Sequence, residues 1–198
     1  MKAKEISQEI KELCRVKNAA ILAHFYQTPE IQDIADYVAD SLGLAQFGQK
    51  SKHQVLLVAG VLFMGETAKI LSPEKTILVP DLKAGCSLAD NCLANEFKIF
   101  KDKHPNHIVV TYVNCSAEVK ALSDILCTSS NAVKIIESIP KDQAIIFAPD
   151  KHLGSYLRKK TGRDLVLWDG ACIVHDTFEA KELTKLKVRN QDALVLAH

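Results

Sequence analysis

Ile21-Leu-Ala-His24 returns as Val195-Leu-Ala-His198, 174 residues or twice 87 later, and Cys86 and Cys172 stand 86 residues apart, within one residue of half that spacing. Their surroundings agree: Val79-Pro-Asp-Leu-Lys-Ala-Gly-Cys86 resembles Leu167-Trp-Asp-Gly-Ala-Cys172. Tyr26 and Tyr112 keep the same 86-residue interval, and Met64-Gly65 and Leu153-Gly154 mark a helix start before each cysteine. A recurrence of this length is longer than a solenoid repeat and implies similar folded units, each placing one cysteine on a loop after a strand. Two units are expected, over 18–105 and 106–190, with 191–198 as the first strand of a third. A third cysteine would fall near position 258, beyond the chain.

Short apolar runs alternate with amphipathic stretches throughout. The runs Ala20–His24, Val55–Ala59, Thr76–Val79, His107–Val113, Ala144–Phe147, Leu165–Trp168 and Ala193–Ala197 read as strands buried on both faces. Pro29 opens a helix pattern with Ile31, Ile34, Ala35 and Val38 on one face. Further helices are expected near Glu66–Leu71, Ser87–Lys103, Asn131–Ser138, Lys151–Lys160 and Thr177–Val188. The fold class is therefore α/β: pseudo-repeated three-layer αβα domains with parallel sheets. In such sheets ligands bind at the carboxyl ends of the strands, so cysteines there would converge if the units share an axis.

Charge narrows the partners. Lys plus Arg number 25 against 24 Asp plus Glu, so no basic excess suggests nucleic acid. The longest nearly apolar stretch, Val55–Gly65, is too short to span a bilayer, and the first residues read as a charged helix rather than a leader. Six unpaired-looking cysteines in 198 residues argue against a disulfide scaffold and for a reducing, cytoplasmic setting. Cys14, Cys92, Cys115 and Cys127 fit no repeat phase and are expected to pack in the interior.

Several polar residues sit where these strands end. His24 and Tyr26 read either as a hydrogen-bonded histidine with a half-buried tyrosine, or as groups that bind and move protons. Tyr112 and Asn114 are two apart, so their side chains share a direction; they could pair across strands, cap a helix near Ser116, or meet a ligand. Ser129 could cap the helix over 132–136, where free N–H groups also hold anions. Ser41 reads as the last turn of a helix before Gly43, and His175 as a surface histidine or a proton shuttle beside Cys172. Glu66, Lys69 and Lys120 are assigned to solvated helix faces.

Ala23-His-Phe-Tyr-Gln27, Asp40-Ser41, Phe63-Met-Gly-Glu-Thr67, Gly85-Cys86-Ser-Leu-Ala89, Thr111-Tyr-Val-Asn114, Cys127-Thr-Ser-Ser-Asn131, Pro149-Asp-Lys-His-Leu-Gly154, Cys172-Ile-Val-His175 and Leu196-Ala-His198 together resemble bacterial quinolinate synthases, over about residues 18 to 198. The resemblance implies three homologous αβα domains around one [4Fe–4S] cluster, one cysteine from each. It implies condensation of iminoaspartate with dihydroxyacetone phosphate to quinolinate, phosphate and water, in NAD biosynthesis, with an aspartate-oxidising enzyme supplying the imine. On that basis Cys86 and Cys172 would ligate the cluster, Tyr26 and His175 would be catalytic, and His24, Ser41, Tyr112, Val113, Asn114, Ser129 and His198 would bind substrate. A cluster held by three thiolates keeps one iron open as a Lewis acid, suited to dehydration. The family's His-Pro-Glu-Cys motif is represented only by His198, so activity of the 198-residue chain alone is not expected. Two alternatives stand beside this: a three-cysteine iron–sulfur enzyme of diphthamide synthesis, and an inactive two-domain fragment. An edge left uncovered would expose apolar surface and favour self-association.

Overall fold

The computed structural model describes residues 3–196, the side chain of Ala3 excepted. After a leading helix α1 (Ala3–Val16), the first unit runs β1 (Ala19–His24), α2 (Pro29–Gln32), β2 (Tyr37–Ala39), α3 (Ser41–Lys50), β3 (Val55–Ala59), α4 (Leu62–Leu71) and β4 (Thr76–Leu78). Helices α5 (Ser87–Asp90) and α6 (Ala94–Asp102) lead to the second: β5 (Ile108–Tyr112), α7 (Ala117–Ala121), β6 (Ile125–Cys127), α8 (Ala132–Ser138), β7 (Ile145–Ala148), α9 (Lys151–Thr161) and β8 (Leu165–Leu167). Helices α10 (Ile173–Asp176) and α11 (Ala180–Arg189) follow. No described helix is long and apolar enough to cross a membrane.

Both sheets are four-stranded and parallel, with orders β2-β1-β3-β4 and β6-β5-β7-β8. Identical order from two stretches of one chain is what a repeated unit requires, and the α/β class read from the sequence is observed. The repetition extends to side chains. Asp36 accepts the Ile21 N–H through its carboxylate (2.7 Å) and donates its own N–H to the Ile21 carbonyl. Asp124 does the same with Val109 (2.8 Å). Gly65 and Gly154 each let a helix touch the last strand: a Cβ would stand 2.3 Å from Val79 and 2.5 Å from Leu167, respectively. Lys75 donates to the Gly48 carbonyl (2.6 Å) and the Ser51 carbonyl (2.5 Å) at the end of α3. Arg163 donates to the Ile139, Pro140 and Gln143 carbonyls beyond α8. Each cation thus gathers several carbonyls at or just beyond a helix end. Arg163→Ala should lower the unfolding free energy by about 2–4 kcal/mol, measured by urea denaturation.

The register corrects one mark of the repeat. His24 pairs with Ala39 and Tyr112 with Cys127, so Tyr112 is the counterpart of His24, not of Tyr26. The interval is 88 residues at these strands and returns to 86 at the cysteines because the loop before Cys172 is shorter.

Other differences have local causes. The helix expected from Pro29 to Val38 stops at Gln32, because Tyr37-Val-Ala39 pairs with Leu22–His24 as an edge strand. Ser41–Lys50 is a helix despite Gly43 and Gly48; at Gly48 a Cβ would lie 2.7 Å from Leu56, so glycine admits close packing on the sheet. Ile125–Cys127 was too short to stand out as a strand. The helix expected over 87–103 breaks at 91–93, where Cys92 turns into the core. The helix expected over 177–188 begins at Ala180 and has no buried residue. Residues 193–196 form no strand, and Leu194 and Leu196 are exposed; Ala197, the last residue of the strand expected there, lies outside the described residues.

Cys92, Cys115 and Cys127 are buried as expected, and Cys14 is partly so. Burial pushes their thiols up, to about 12 at Cys92, about 11 at Cys115 and about 12 at Cys127, from an ordinary 9.0. The folded state therefore holds protons that the unfolded state releases above pH 9. Stability is complete below that value and should fall as pH rises toward 12, by up to roughly 1.4 kcal/mol per pH unit for each thiol. Denaturant midpoints at pH 8, 9 and 10, compared with a Cys92→Ala/Cys127→Ala variant, should show this loss shrink in the variant.

Candidate functional site

The carboxyl ends of the strands carry the polar residues singled out above. After β4 the chain returns so that the Ala84 carbonyl accepts the Leu62 N–H at the start of α4 (2.9 Å). After β8 the Gly170 carbonyl accepts the Lys151 N–H at the start of α9 (2.8 Å). Two residues beyond each anchored carbonyl comes a cysteine, Cys86 or Cys172, at the N-cap of α5 or α10. The two loops touch. Ile173 donates its N–H to Ser87 Oγ (3.1 Å), Asn91 Nδ2 donates to the Ala171 carbonyl (3.4 Å), and Trp168 Nε1 donates to the Asn91 carbonyl (2.9 Å). Residues on both sides of Cys172 are thus bound to the segment that follows Cys86.

Burial pushes the Cys86 thiol up, while the N–H groups of Leu88 and Ala89 favour its thiolate and nearby Cys172 opposes it. Two sulfur donors on adjoining loops, one already facing N–H donors, suit a soft thiolate-bound centre as far as two ligands go. Among the described residues there is no group of three or more His, Cys, Asp or Glu able to hold a metal.

His24 ends β1 and is 8% exposed. Its Nδ1 accepts the Tyr26 N–H (3.2 Å), which leaves Nε2 carrying the proton in the neutral ring. Desolvation holds its pKa below the usual histidine range, against the pull of Asp40. A neutral donor able to meet a carboxylate results. Tyr26 packs edge-on to His24 at 4.7 Å but is 85% exposed, so the described residues give its phenol no enclosing pocket. Ser41 is buried and begins α3 behind its cap Asp40, whose carboxylate accepts the Gly43 N–H (2.7 Å). It is therefore an N-terminal residue, not the last turn expected before Gly43, because the helix here follows β2 instead of preceding Gly43.

In the second unit Tyr112, Ser129 and His175 line one open cleft of about 810 Å³, together with Asp150, His152 and Tyr156. The pKa of Tyr112 is pushed up to about 12, first by desolvation and then by Cys127, Asp150 and Cys86, with Ser129 pulling weakly the other way. It is a proton donor at neutral pH, and His175 and Asp176 in the lining, just after Cys172, place this cleft beside the cysteine loops. Ser129 is exposed and does not cap α8; Asn131 occupies the cap position and accepts the Thr128 N–H. Val113 is buried, with its N–H committed to the Cys127 carbonyl (2.8 Å) and its carbonyl to Cys115, so it offers no free N–H to a ligand. Asn114, half-buried, does not cap α7, since Ser116 caps that helix through its own hydroxyl. His198 lies outside the described residues.

The sequence reading missed His152, whose Nε2 lies 2.5 Å from Asp176 and ties α9 to the Cys172 segment. Its place in Pro149-Asp-Lys-His-Leu-Gly154 was the available signal. It also misassigned Lys120. This lysine is 6% exposed, because its helix α7 packs against α4 instead of facing water. Lys69 is exposed as expected, donating to the Pro73 and Lys75 carbonyls.

A family model described as quinolinate synthetase A protein matches residues 8–198. Curated relatives named quinolinate synthase include one from Trichormus variabilis, 60% identical over 96% of this chain and 58% of its own length. One from Chloroherpeton thalassium is 58% identical over 98% of this chain and 60% of its own length. One from Synechococcus is 57% identical over 98% and 61%. The chain thus spans about three-fifths of the length of the curated relatives it matches.

Proposed function

The chain belongs to the quinolinate synthase family, and from that footing we propose that it supplies two cysteine-bearing units, 18–105 and 106–190, of an enzyme making quinolinate for NAD in the cytoplasm. The reaction joins iminoaspartate to dihydroxyacetone phosphate and releases phosphate and two molecules of water. An aspartate-oxidising enzyme supplies the imine. The observation that carries the reading is the contact between the Cys86 and Cys172 loops at the carboxyl edge of two like sheets, beside Tyr112. Family membership sets the diphthamide-type alternative aside.

Cys86 and Cys172 would hold two irons of a [4Fe–4S] cluster, with the third thiolate supplied by the part of the relatives' length that this chain does not span. When bound, the cluster supplies an open iron as a Lewis acid for loss of hydroxide. The chain's own residues do the rest. His24 Nε2–H donates to a carboxylate of iminoaspartate, its tautomer fixed by the Tyr26 N–H. Ser41 and Ser129, at equivalent places after β2 and β6, provide hydroxyls for the carboxylate and phosphate oxygens. Tyr112, held protonated by burial, donates and does not act as a base. Asn114 offers amide donors beside it. Tyr26 and His175, on exposed segments, serve proton transfer once substrate and the remaining part of the protein cover them.

The test is anaerobic reconstitution of the chain alone and of the chain joined to the C-terminal remainder of the Trichormus relative. The fusion should bind about four irons per chain and form quinolinate from the two substrates, whereas the chain alone should do neither. Iron-free fusion protein, or fusion protein that binds iron but forms no quinolinate, contradicts the reading and leaves a non-enzymatic fragment.

A further inference from the structure

The segment that follows Tyr112 is held by two residues outside the proposed site, one from the first unit and one from its own. Glu66, on α4 of the first unit, accepts the Ala117 N–H through Oε2 at 2.9 Å. Lys120, on α7 of the second, is 6% exposed and turns back to donate to the Cys115 carbonyl. Its ammonium also stands 5.4 Å from the ring centre of Phe63, one turn from Glu66 on α4. Burying an ammonium so deeply is unfavourable unless its surroundings compensate. Here a carbonyl, an aromatic face and the nearby carboxylates of Glu66 and Glu118 do so, and burial still holds the lysine below its usual range. A stretch of five residues, from Val113 to Ala117, is therefore fastened at Cys115 and at Ala117, immediately after Asn114.

We propose that Glu66 and Lys120 form a clasp between the two sheets that positions Tyr112 and Asn114 to bind the dicarboxylic substrate. The clasp rests on the reading of the cleft given above. Neither residue touches substrate, so both are positioning residues. Their action is to fix the angle between the Asn114 amide and the Cys86 loop, which belongs to the same unit as Glu66. A surface lysine in their place would leave the 113–117 segment free to shift with thermal motion of one sheet against the other.

Amide exchange in the 198-residue chain, followed by NMR, reads the clasp without any assay of activity. Glu66→Ala should speed exchange at Ala117 about tenfold or more, and Lys120→Met should do so at Ala117 and at Cys115, whose N–H donates to the Val113 carbonyl (2.9 Å), while Glu66→Gln, which keeps an acceptor oxygen, should restore slow exchange. In the fusion protein Glu66→Ala and Lys120→Met should each raise KM for iminoaspartate about tenfold with kcat within threefold, and Glu66→Gln should stay near the parent. If Lys120→Met fails to fold, the Glu66→Gln/Lys120→Met pair removes both charges and should fold, with fast exchange retained at Cys115. Unchanged exchange at both amides, or unchanged KM in an active fusion, overturns the clasp. An inactive parent fusion overturns the enzymatic reading instead, and exchange then decides the clasp by itself.

Discussion

Serine in place of Cys172 should leave the reconstituted fusion protein with less than one iron per chain and with quinolinate formation at background, while its unfolding midpoint before reconstitution stays within about 1 kcal/mol of the parent. The two halves of that expectation have separate causes. Cys172 is the N-cap of α10, with its carbonyl accepting the Asp176 N–H (3.0 Å), and serine is a favoured residue at such a position. The fold loses nothing. A serine hydroxyl, however, is a harder donor that does not ionise near neutral pH, so a soft iron–sulfur centre loses a ligand outright. Cys86→Ser should behave alike, since Cys86 caps α5 in the same way. Cys115→Ser should differ: it buries a hydroxyl in the core and lowers stability, yet leaves iron binding per folded chain intact. Iron analysis beside urea denaturation on the three variants separates a ligand from a packing residue. Full iron content in Cys172→Ser would remove the basis for the proposed centre.

Gly170→Ala should be among the most costly single methyl additions in the molecule, lowering stability by about 3 kcal/mol or more and reducing iron uptake of the fusion with it. A Cβ at Gly170 would stand 2.4 Å from the Pro149 carbonyl oxygen, a backbone atom that cannot rotate away. Relief requires the 168–172 loop to part from the start of α9, which breaks the bond between the Gly170 carbonyl and the Lys151 N–H. That bond places Cys172 two residues later. Gly162→Ala provides the contrast. Gly162 lies at φ +67 as the left-handed cap of α9 and has open space where a Cβ would go, so only backbone strain is added, about 1 kcal/mol. Equal destabilisation in the two variants would mean that crowding at Pro149 is relieved more easily than the fixed backbone suggests.

Much of the core was legible in the sequence. Strands such as Val55–Ala59 and Ile145–Ala148 are continuous apolar runs because the central parallel strands here are covered on both faces. Two of the four short edge strands were not legible: Tyr37–Ala39 and Ile125–Cys127 have three residues each and gain their hydrogen bonds from a neighbouring strand, whereas Thr76–Leu78 and Leu165–Leu167, equally short, stood out as apolar runs. The same distinction applies to Lys120. Its sequence neighbours mark a polar helix, and only the packing of α7 on α4 takes it out of water.

By itself the sequence determined the α/β class, the doubled unit, the family, and the two cysteines set at one period after a strand. These are properties of local pattern and spacing, which a linear chain carries openly. The tertiary structure decided that His24 and not Tyr26 matches Tyr112, that Tyr112 shares a cleft with Ser129 and His175, and that Glu66 reaches across to Ala117. Those relations depend on register and on sheet-to-sheet packing, where a shift of one or two residues changes which side chains meet, and no local propensity encodes them.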